Sequence, residues 1–453
     1  MSFASSVETL ELNSQRSKEV LEISPGTYIR LVQQLKGKPL FPQLKRLCIE
    51  DYHGLVDFFP LFFSSNLRSI KLLSTEPPTI PVTTASVMLG NLICDLSEWS
   101  QEIQHLHIAQ SIILQAWMFN SISILSNLRT LELSPIQVKN FEEFRPLAPL
   151  ALESLTLELS CPSYICLPHP ITPLPDFLAL LKKLDISGSS IVIADFVQSL
   201  GSQNLTSLTI ESKIEASESA WSLSPRRKNN HALETKRKLK KTNDVNHRMY
   251  DFENILHTIL SRWGVSLREI TIISQCDAGI DFAPLPMFQL IEKIYVSDFP
   301  IHDLEYVLKP TAIWNHLDTL RLTMTITFPL LSLIALSAPQ LKKLDVSINT
   351  SEEPPTDNQQ VPAHPLSLLK IHGPSSQNSE GFGCGSANNV PDLSHLIQVA
   401  RYLNSLFPTL KELTSTSQTK IWELVWQLLV LCQTCRADGN CQRSIHNQES
   451  EVL

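Results

Sequence analysis

Glycine is scarce in this sequence: thirteen glycines stand against 29 prolines in 453 residues. A chain so poor in glycine has little from which to build phosphate-cradling loops. Its one cluster, Gly381, Gly383 and Gly385, has no Lys-Ser or Lys-Thr behind it and runs into Asn388 and Asn389, where a dinucleotide-binding turn would carry another glycine. Catalytic signatures are missing as well, with no H-E-x-x-H, no G-x-S-x-G and no P-loop. Nothing supplies a nucleophile, a base or a cofactor loop, so the chain reads as non-enzymatic, without catalytic residues and without a cofactor.

Long apolar runs are also lacking. The two longest, Phe328 to Ala338 and Ile421 to Cys432, fall short of the roughly 20 residues that span a bilayer, and Pro329, Glu423 or Gln427 interrupts them. No membrane span is expected. The N-terminal stretch MSFASSVETLELNSQRSK has no apolar core of a secretory signal. Nine cysteines, an odd number, fit reduced thiols of an intracellular protein, cytoplasmic or nuclear, better than a disulfide framework.

What the chain does contain is one phrase written many times. FPQLKRLCIED, from Phe41 to Asp51, carries Leu44, Leu47 and Ile49 as L-x-x-L-x-L, and the phrase returns with first apolar positions at Val7, Leu67, Ile103, Leu128, Leu152, Leu181, Leu205, Leu267, Ile291, Leu317, Leu341 and Leu366, with a degraded copy at Leu410. Most steps are 24 to 26 residues. Residues two apart in a strand, such as Leu47 and Ile49 or Leu131 and Leu133, point to the same side, and that side needs cover. A single repeat cannot provide it, whereas stacked repeats build one continuous apolar spine. The chain exceeds the roughly 250 to 300 residues at which one compact core stops growing, which suits an extended array. The fold expected is α/β: a leucine-rich-repeat solenoid, with a curved parallel sheet on one side and helical return segments on the convex side. Return helices are read at Asp195 to Leu205 and Asp251 to Trp263, each opening on an aspartate able to cap a helix N-terminus.

Over Val7 to Leu413 the chain resembles the leucine-rich-repeat family, and phrases such as FPQLKRLCIED, LKKLDISGS and APQLKKLDVSI are similar to the longer, helix-rich repeats that follow the F-box in fungal F-box proteins. The resemblance implies a substrate-recognition part of, or a derivative of, an F-box-type ubiquitin ligase subunit, with a Skp-type adaptor and a cullin as implied partners. There are departures. Where most family repeats place a turn asparagine, this chain has Tyr52, Thr75, Ser111, Ser160, Ser189, Gln275 and Thr325, and only Asn349 matches. No F-box is recognisable: LPDFLALLKKL at Leu174 resembles its opening but runs straight into the phrase at Leu181 and is read as that repeat's own helix.

The array is expected to fill residues 1–413. A basic, disordered insertion interrupts it at about 213–248, and polar loops at about 350–365 and 373–390. Between residues 226 and 241, Arg226, Arg227, Lys228, Lys236, Arg237, Lys238, Lys240 and Lys241 oppose a single glutamate, giving +7 in a chain of net charge −8. The sharper reading of this block is a two-part nuclear-targeting signal. It has no interleaved aromatic residues to stack on bases, so nucleic acid is not an expected partner. Residues 414–453 read as a capping helix followed by a polar tail holding Cys432, Cys435, Cys441 and His446; free thiols are favoured there over zinc, so no metal site is assigned.

Alternation along each strand places the residues flanking the second apolar position on the face away from the core. That concave face is the expected surface for a protein partner, and its candidate residues are Arg46, Lys71, His105, His107, Glu132, Lys183, Asp185, Lys293, Tyr295, Arg321, Lys343 and Asp345. His105 and His107 project together but have no carboxylate near them in the sequence, and so read as surface residues rather than metal ligands. The function expected is a non-enzymatic protein-recognition scaffold; the alternative is a nuclear or nucleic-acid-associated regulator that uses the basic insertion.

Overall fold

The structure is a computed structural model that describes residues 4–12, 25–36, 38–50, 59, 61–74, 82–138, 141–160, 177–213, 255–274, 287–297, 314–350, 352–355, 364–372, 392–416 and 419–451. The chain forms two compact units, Met1–Trp263 and Gly264–Leu453.

In the first unit eight strands stand side by side in chain order: β1 (Thr9–Leu12), β2 (Arg46–Glu50), β3 (Ser69–Ser74), β4 (His105–Gln115), β5 (Thr130–Gln137), β6 (Ser154–Ser160), β7 (Lys183–Gly188) and β8 (Ser207–Ser212). Every neighbouring pair is parallel. The second unit repeats the plan with β9 (Glu269–Ser274), β10 (Lys293–Ser297), β11 (Thr319–Ile326), β12 (Lys343–Ile348), β13 (Leu368–Ile371) and β14 (Glu412–Ser415). This is an α/β leucine-rich-repeat solenoid, and each of these strands begins two residues after the first apolar position of a sequence phrase.

Register explains the spine. Leu47, Ile70, Leu106, Leu131, Leu155, Leu184 and Leu208 lie in one line across the first unit, and Ile49, Leu72, Ile108, Leu133, Leu157, Ile186 and Ile210 in the next. All are buried. An aromatic run lies behind them, with Phe144 4.9 Å from Phe119 and 5.0 Å from Phe196, ring centre to ring centre. Burying such large rings is the main favourable term in a stack of this kind.

Backbone hydrogen bonds repeat with the same period. The residue opening a phrase donates its N–H to the carbonyl three residues upstream, as from Leu67 to Ser64, Leu181 to Leu178 and Leu341 to Ala338. One carbonyl just before each strand then accepts two successive amides of the next repeat: Lys45 O takes those of Arg68 and Ser69, and Asp318 O those of Lys342 and Lys343. These entry-side bonds give the stack a regular ladder although Asn349 alone matches the turn asparagines. Ser64 and Ser202 reinforce it by donating to the Leu44 and Leu181 carbonyls one repeat back, at 2.9 and 2.7 Å.

The first unit's return segments are α1 (Pro25–Leu35), α2 (Val82–Trp99), α3 (Met118–Ile122), a 3-10 turn at Phe141–Leu147, α4 (Ser190–Ser199) and α5 (255–263). Asp195 does not open its helix as the sequence suggested. α4 begins five residues earlier with Ser189 at its N-cap, because Ile193, Ala194, Phe196 and Val197 bury one continuous face. Asp251 lies outside the described residues. The stretch before Leu181 is also not helical where described: residues 177–180 form a turn, with Leu178 at φ 54° and Phe177 and Leu178 buried. At the end of β7, Gly188 has φ 152°, and a Cβ there would sit 2.7 Å from the Leu159 carbonyl oxygen. Only glycine fits so close a strand contact.

α5 is tied to α4 by two side chains. The Arg262 guanidinium donates to the carbonyls of Val197, Gln198 and Leu200, satisfying groups that the end of α4 leaves open. Trp263, fully buried, donates Nε1–H to the Ser202 carbonyl at 2.7 Å.

In the second unit the apolar run Phe328 to Ala338 forms α6 (Phe328–Ser337), capped by Thr327, whose hydroxyl accepts the Leu330 N–H. It is a core helix. α7 (Leu393–Leu406) and α8 (Thr419–Glu451) follow. α8 buries Trp422, Val425 and Leu429, spaced three and four residues apart, and Gln433 Nε2 donates to the Leu410 carbonyl at 3.1 Å. The helix runs through the expected polar tail to Glu451. Positions 432 and 441 are therefore nine helical residues apart, about 13.5 Å along the axis, too far to share one tetrahedral ion. The side chains of Cys441 and His446 lie outside the described residues. No helix among the described residues is long and apolar enough to cross a membrane.

Candidate functional site

The side of the sheet opposite the apolar spine presents two lines of side chains in each unit. In the first unit, one line reads Thr9, Arg46, Ser69, His105, Thr130, Ser154, Lys183, Ser207, and the next Glu11, Cys48, Lys71, His107, Glu132, Thr156, Asp185, Thr209. Arg46, Lys71, His105 and Lys183 are exposed, while His107, Glu132 and Asp185 are half-buried. Arg46, Lys71, His105 and His107 gather on β2 to β4, and Lys183 and Asp185 stand apart on β7.

His105 and His107 project from the same face, as alternation demands, but the carboxylate that the sequence did not reveal is present. Register sets Glu132 beside His107, with Nδ1 to Oε2 2.9 Å. Burial pushes the His107 imidazole below the ordinary histidine range and Lys71 adds to this, against the pull of Glu132. The pair forms no metal cluster; among the described residues no group of three or more potential ligands converges.

The other half of this face is acidic. Glu132 and Asp185 share a line, and Glu158 and Glu211 stand one step along the strands, four carboxylates against Lys183 and Lys213. Lys213 donates to Glu158 at 2.6 Å, and Ser134 donates to the other Glu158 oxygen. Burial pushes the Glu158 carboxyl up, but these two donors outweigh it and hold it below its usual range. Asp185 forms no ion pair with a described residue, and burial first, then the Glu132 and Glu211 charges, raise its carboxyl above the usual range against Lys183 and Lys213.

In the second unit the lines read Glu269, Lys293, Thr319, Lys343, Leu368, Glu412 and Thr271, Tyr295, Arg321, Asp345, Lys370, Thr414. Here the predicted residues do meet. Arg321 lies over the Tyr295 ring, 4.6 Å from its centre, and its Nε is 3.2 Å from Asp345 Oδ2. Lys370 Nζ is 4.0 Å from the same oxygen, and His372 Nε2 contacts Asp345 Oδ1. The central atoms, Arg321 Nε, Asp345 Oδ1 and His372 Nε2, are shielded from solvent. Lys293 faces Glu269 at 3.8 Å, and Lys343 is exposed and in no ion pair with a described residue.

Lys370 and His372 were not singled out from the sequence. Lys370 flanks Leu369, the second apolar position of the phrase at Leu366, so the alternation rule that gave Lys343 also yields it. His372 follows the phrase's last apolar residue, two positions beyond Lys370, and the same alternation carried one step past the phrase reaches it. The basic residues Arg226, Arg227, Lys228, Lys236, Arg237, Lys238, Lys240 and Lys241 lie outside the described residues.

No family model matches the chain, and no curated protein matches it. Among solved structures it is similar to an internalin of Listeria monocytogenes, at 12% identity and TM-score 0.37 over 86% of this chain and 88% of that one. It is also similar to a leucine-rich-repeat protein of Leptospira interrogans, at 12% identity and TM-score 0.27 over 82% and 90%. A third is mouse RP105 in its complex with MD-1, at 16% identity and TM-score 0.30 over 72% and 54%. At these values the fold assignment rests on the register of the strands and not on the likeness.

Proposed function

We propose that the chain is a non-enzymatic scaffold for protein recognition that engages its partner through the sheet face. The observation that carries this reading is Asp185, a half-buried carboxylate on the sheet face that forms no ion pair with a described residue and stands near Glu132 and Glu211. A solenoid gains nothing in stability from such a group, whereas a partner that supplies the missing cation does. The resemblance to F-box proteins adds a finer reading, in which the face selects substrates for a ubiquitin ligase assembled through a Skp-type adaptor and a cullin. Tagged capture from a native extract, read by mass spectrometry, tests both. Partners that vanish on Asp185→Asn support recognition through the face, and recovery of adaptor and cullin supports the ligase reading. Unchanged capture by the variant contradicts recognition through this residue.

The +7 charge between residues 226 and 241 favours a second reading, nuclear targeting. Deleting that segment from a fluorescent fusion abolishes nuclear entry if it holds, and leaves entry unchanged if it does not.

A further inference from the structure

The cluster on β11 to β13 is more than a solvated patch of charge. Arg321, Lys343 and Lys370 stand on three adjacent strands against the single carboxylate Asp345, with His372 closing the far side. Lys293, the next cation along, already faces Glu269, and Glu412 lies beyond Leu368 on β14, so the unbalanced positive charge is confined to these three strands. Arg321 lies over the Tyr295 ring and approaches Asp345 through Nε, and its guanidinium carries two further nitrogens able to donate to a second carboxylate. Lys343 is exposed and forms no ion pair with a described residue.

From this arrangement we infer that the second unit's sheet face binds an acidic peptide segment, laid across β11 to β13 with its carboxylates on Arg321, Lys343 and Lys370. The inference rests on the recognition reading above and gives that surface a class of partner. Spacing fits. Neighbouring strands stand about 4.8 Å apart, so Arg321 and Lys370 are roughly 10 Å apart at the backbone, while carboxylates on alternate residues of an extended peptide are about 6.8 Å apart, within reach of both by flexible side chains. The Arg321 fork suits a planar carboxylate, and Lys343 adds a point charge beside it. A nucleic acid fits less well. Its phosphates need a longer basic track, and Tyr295, the aromatic in this cluster, has a ring face covered by Arg321 and unavailable to a base.

The test uses the full-length chain and a fluorescent ten-residue peptide of alternating glutamate and alanine, with fluorescence anisotropy as the readout. An oligothymidylate of equal charge serves as comparison. The expected result is peptide binding that weakens as salt rises and falls about tenfold or more in Lys343→Ala combined with Lys370→Ala, with Lys342→Ala unchanged. Arg321→Lys, which keeps the charge but loses the fork and the stack, also weakens binding. Circular dichroism establishes that each variant is folded, and Lys343→Ala alone, at an exposed side chain, keeps the test decisive if the double variant unfolds. No binding by the wild type, equal binding by the variants, or binding of the oligothymidylate as tight as that of the peptide overturns the inference. A chain that captures proteins through its first unit yet ignores the peptide overturns this inference and leaves the recognition reading standing; one whose capture is insensitive to every face substitution removes the recognition reading itself.

Discussion

The two units share one backbone plan and differ in what they place on the sheet face. On β5 to β8 of the first, four carboxylates outnumber Lys183 and Lys213; on β11 to β13 of the second, Arg321, Lys343 and Lys370 outnumber Asp345. The rim one residue before each strand is alike in both. Glu8 pairs with Lys45 and Glu153 with Lys182 in the first unit, Arg268 with Glu292 and Asp318 with Lys342 in the second. Rim charges answer one another from repeat to repeat, as expected of a stack that must pair its neighbours. On the face the pairing is incomplete: His107–Glu132, Lys293–Glu269 and Arg321–Asp345 meet, while Asp185 and Lys343 form no ion pair with a described residue, and the sign of the excess differs between the two regions.

Removing the anchor of each unit tests whether the plan is shared. Trp263→Ala removes a fully buried indole and its bond to Ser202, and is expected to destabilise the first unit by about 3 to 5 kcal/mol, seen as faster hydrogen exchange in peptides covering β7 and β8. In the second unit His364 holds a comparable place. Its Nε2 lies 2.8 Å from the Ala338 carbonyl, its Nδ1 accepts the Leu366 N–H, and its ring meets Phe407 edge-on. His364→Ala is expected to cost about 2 to 4 kcal/mol there. Unchanged protection of the strands next to each substitution contradicts these anchoring roles.

His364 also sets a pH dependence that sharpens the contrast. Burial pushes its imidazole below the ordinary value of 6.5 against the pull of the Ala338 carbonyl, so the unfolded chain binds the proton more readily. Its contribution to stability is complete above 6.5, is lost as pH falls from there toward the folded-state value, and changes no further below it. Protonation also removes the acceptor for Leu366 N–H. Denaturant titrations of wild type and His364→Gln between pH 7.5 and 5 check this, the variant being the less sensitive to acid.

Smaller effects concern the faces. Asp185 has a raised pKa, so the folded state holds the proton more tightly, and its contribution to stability is lost as pH rises through the folded-state value. Asp185→Asn is therefore expected to stabilise the first unit at neutral pH by roughly 0.5 to 1 kcal/mol after allowance for solvent screening, read as a higher unfolding midpoint. The least change is expected at the rim: the pairs Lys45–Glu8 and Lys182–Glu153 are fully solvated and screened, so Lys45→Ala leaves the midpoint nearly unchanged.

The strands were legible because a buried line of leucines leaves an L-x-x-L-x-L trace whose period survives variation elsewhere. The return segments were not. Asp195 looked like a cap but sits inside α4, since the apolar face that fixes the helix starts at Ile193 and needs a turn ahead of it. The second rungs beyond the bulges, Leu114 beside Ile136 and Ile136 beside Leu159, fall outside the phrase and follow from pairing alone. Tyr295, Arg321 and Asp345 share one line of the sheet because each flanks the second apolar position of its phrase. That Arg321 stacks on Tyr295, that Glu132 meets His107, and that His372 reaches Asp345 depend on register between repeats about 25 residues apart, which one sequence does not display.

Adjacent residues offer the most direct comparison of rim and face. Lys182 and Lys342 are rim residues paired with Glu153 and Asp318, while Lys183 and Lys343 stand one residue further on the sheet face. Capture from a native extract with tagged wild-type chain, Lys182→Ala with Lys342→Ala, and Lys183→Ala with Lys343→Ala separates the two surfaces at equal cost in charge. Recognition through the face predicts that the rim variant recovers the wild-type partners and the face variant loses them; the same partners in equal yield from both would contradict it.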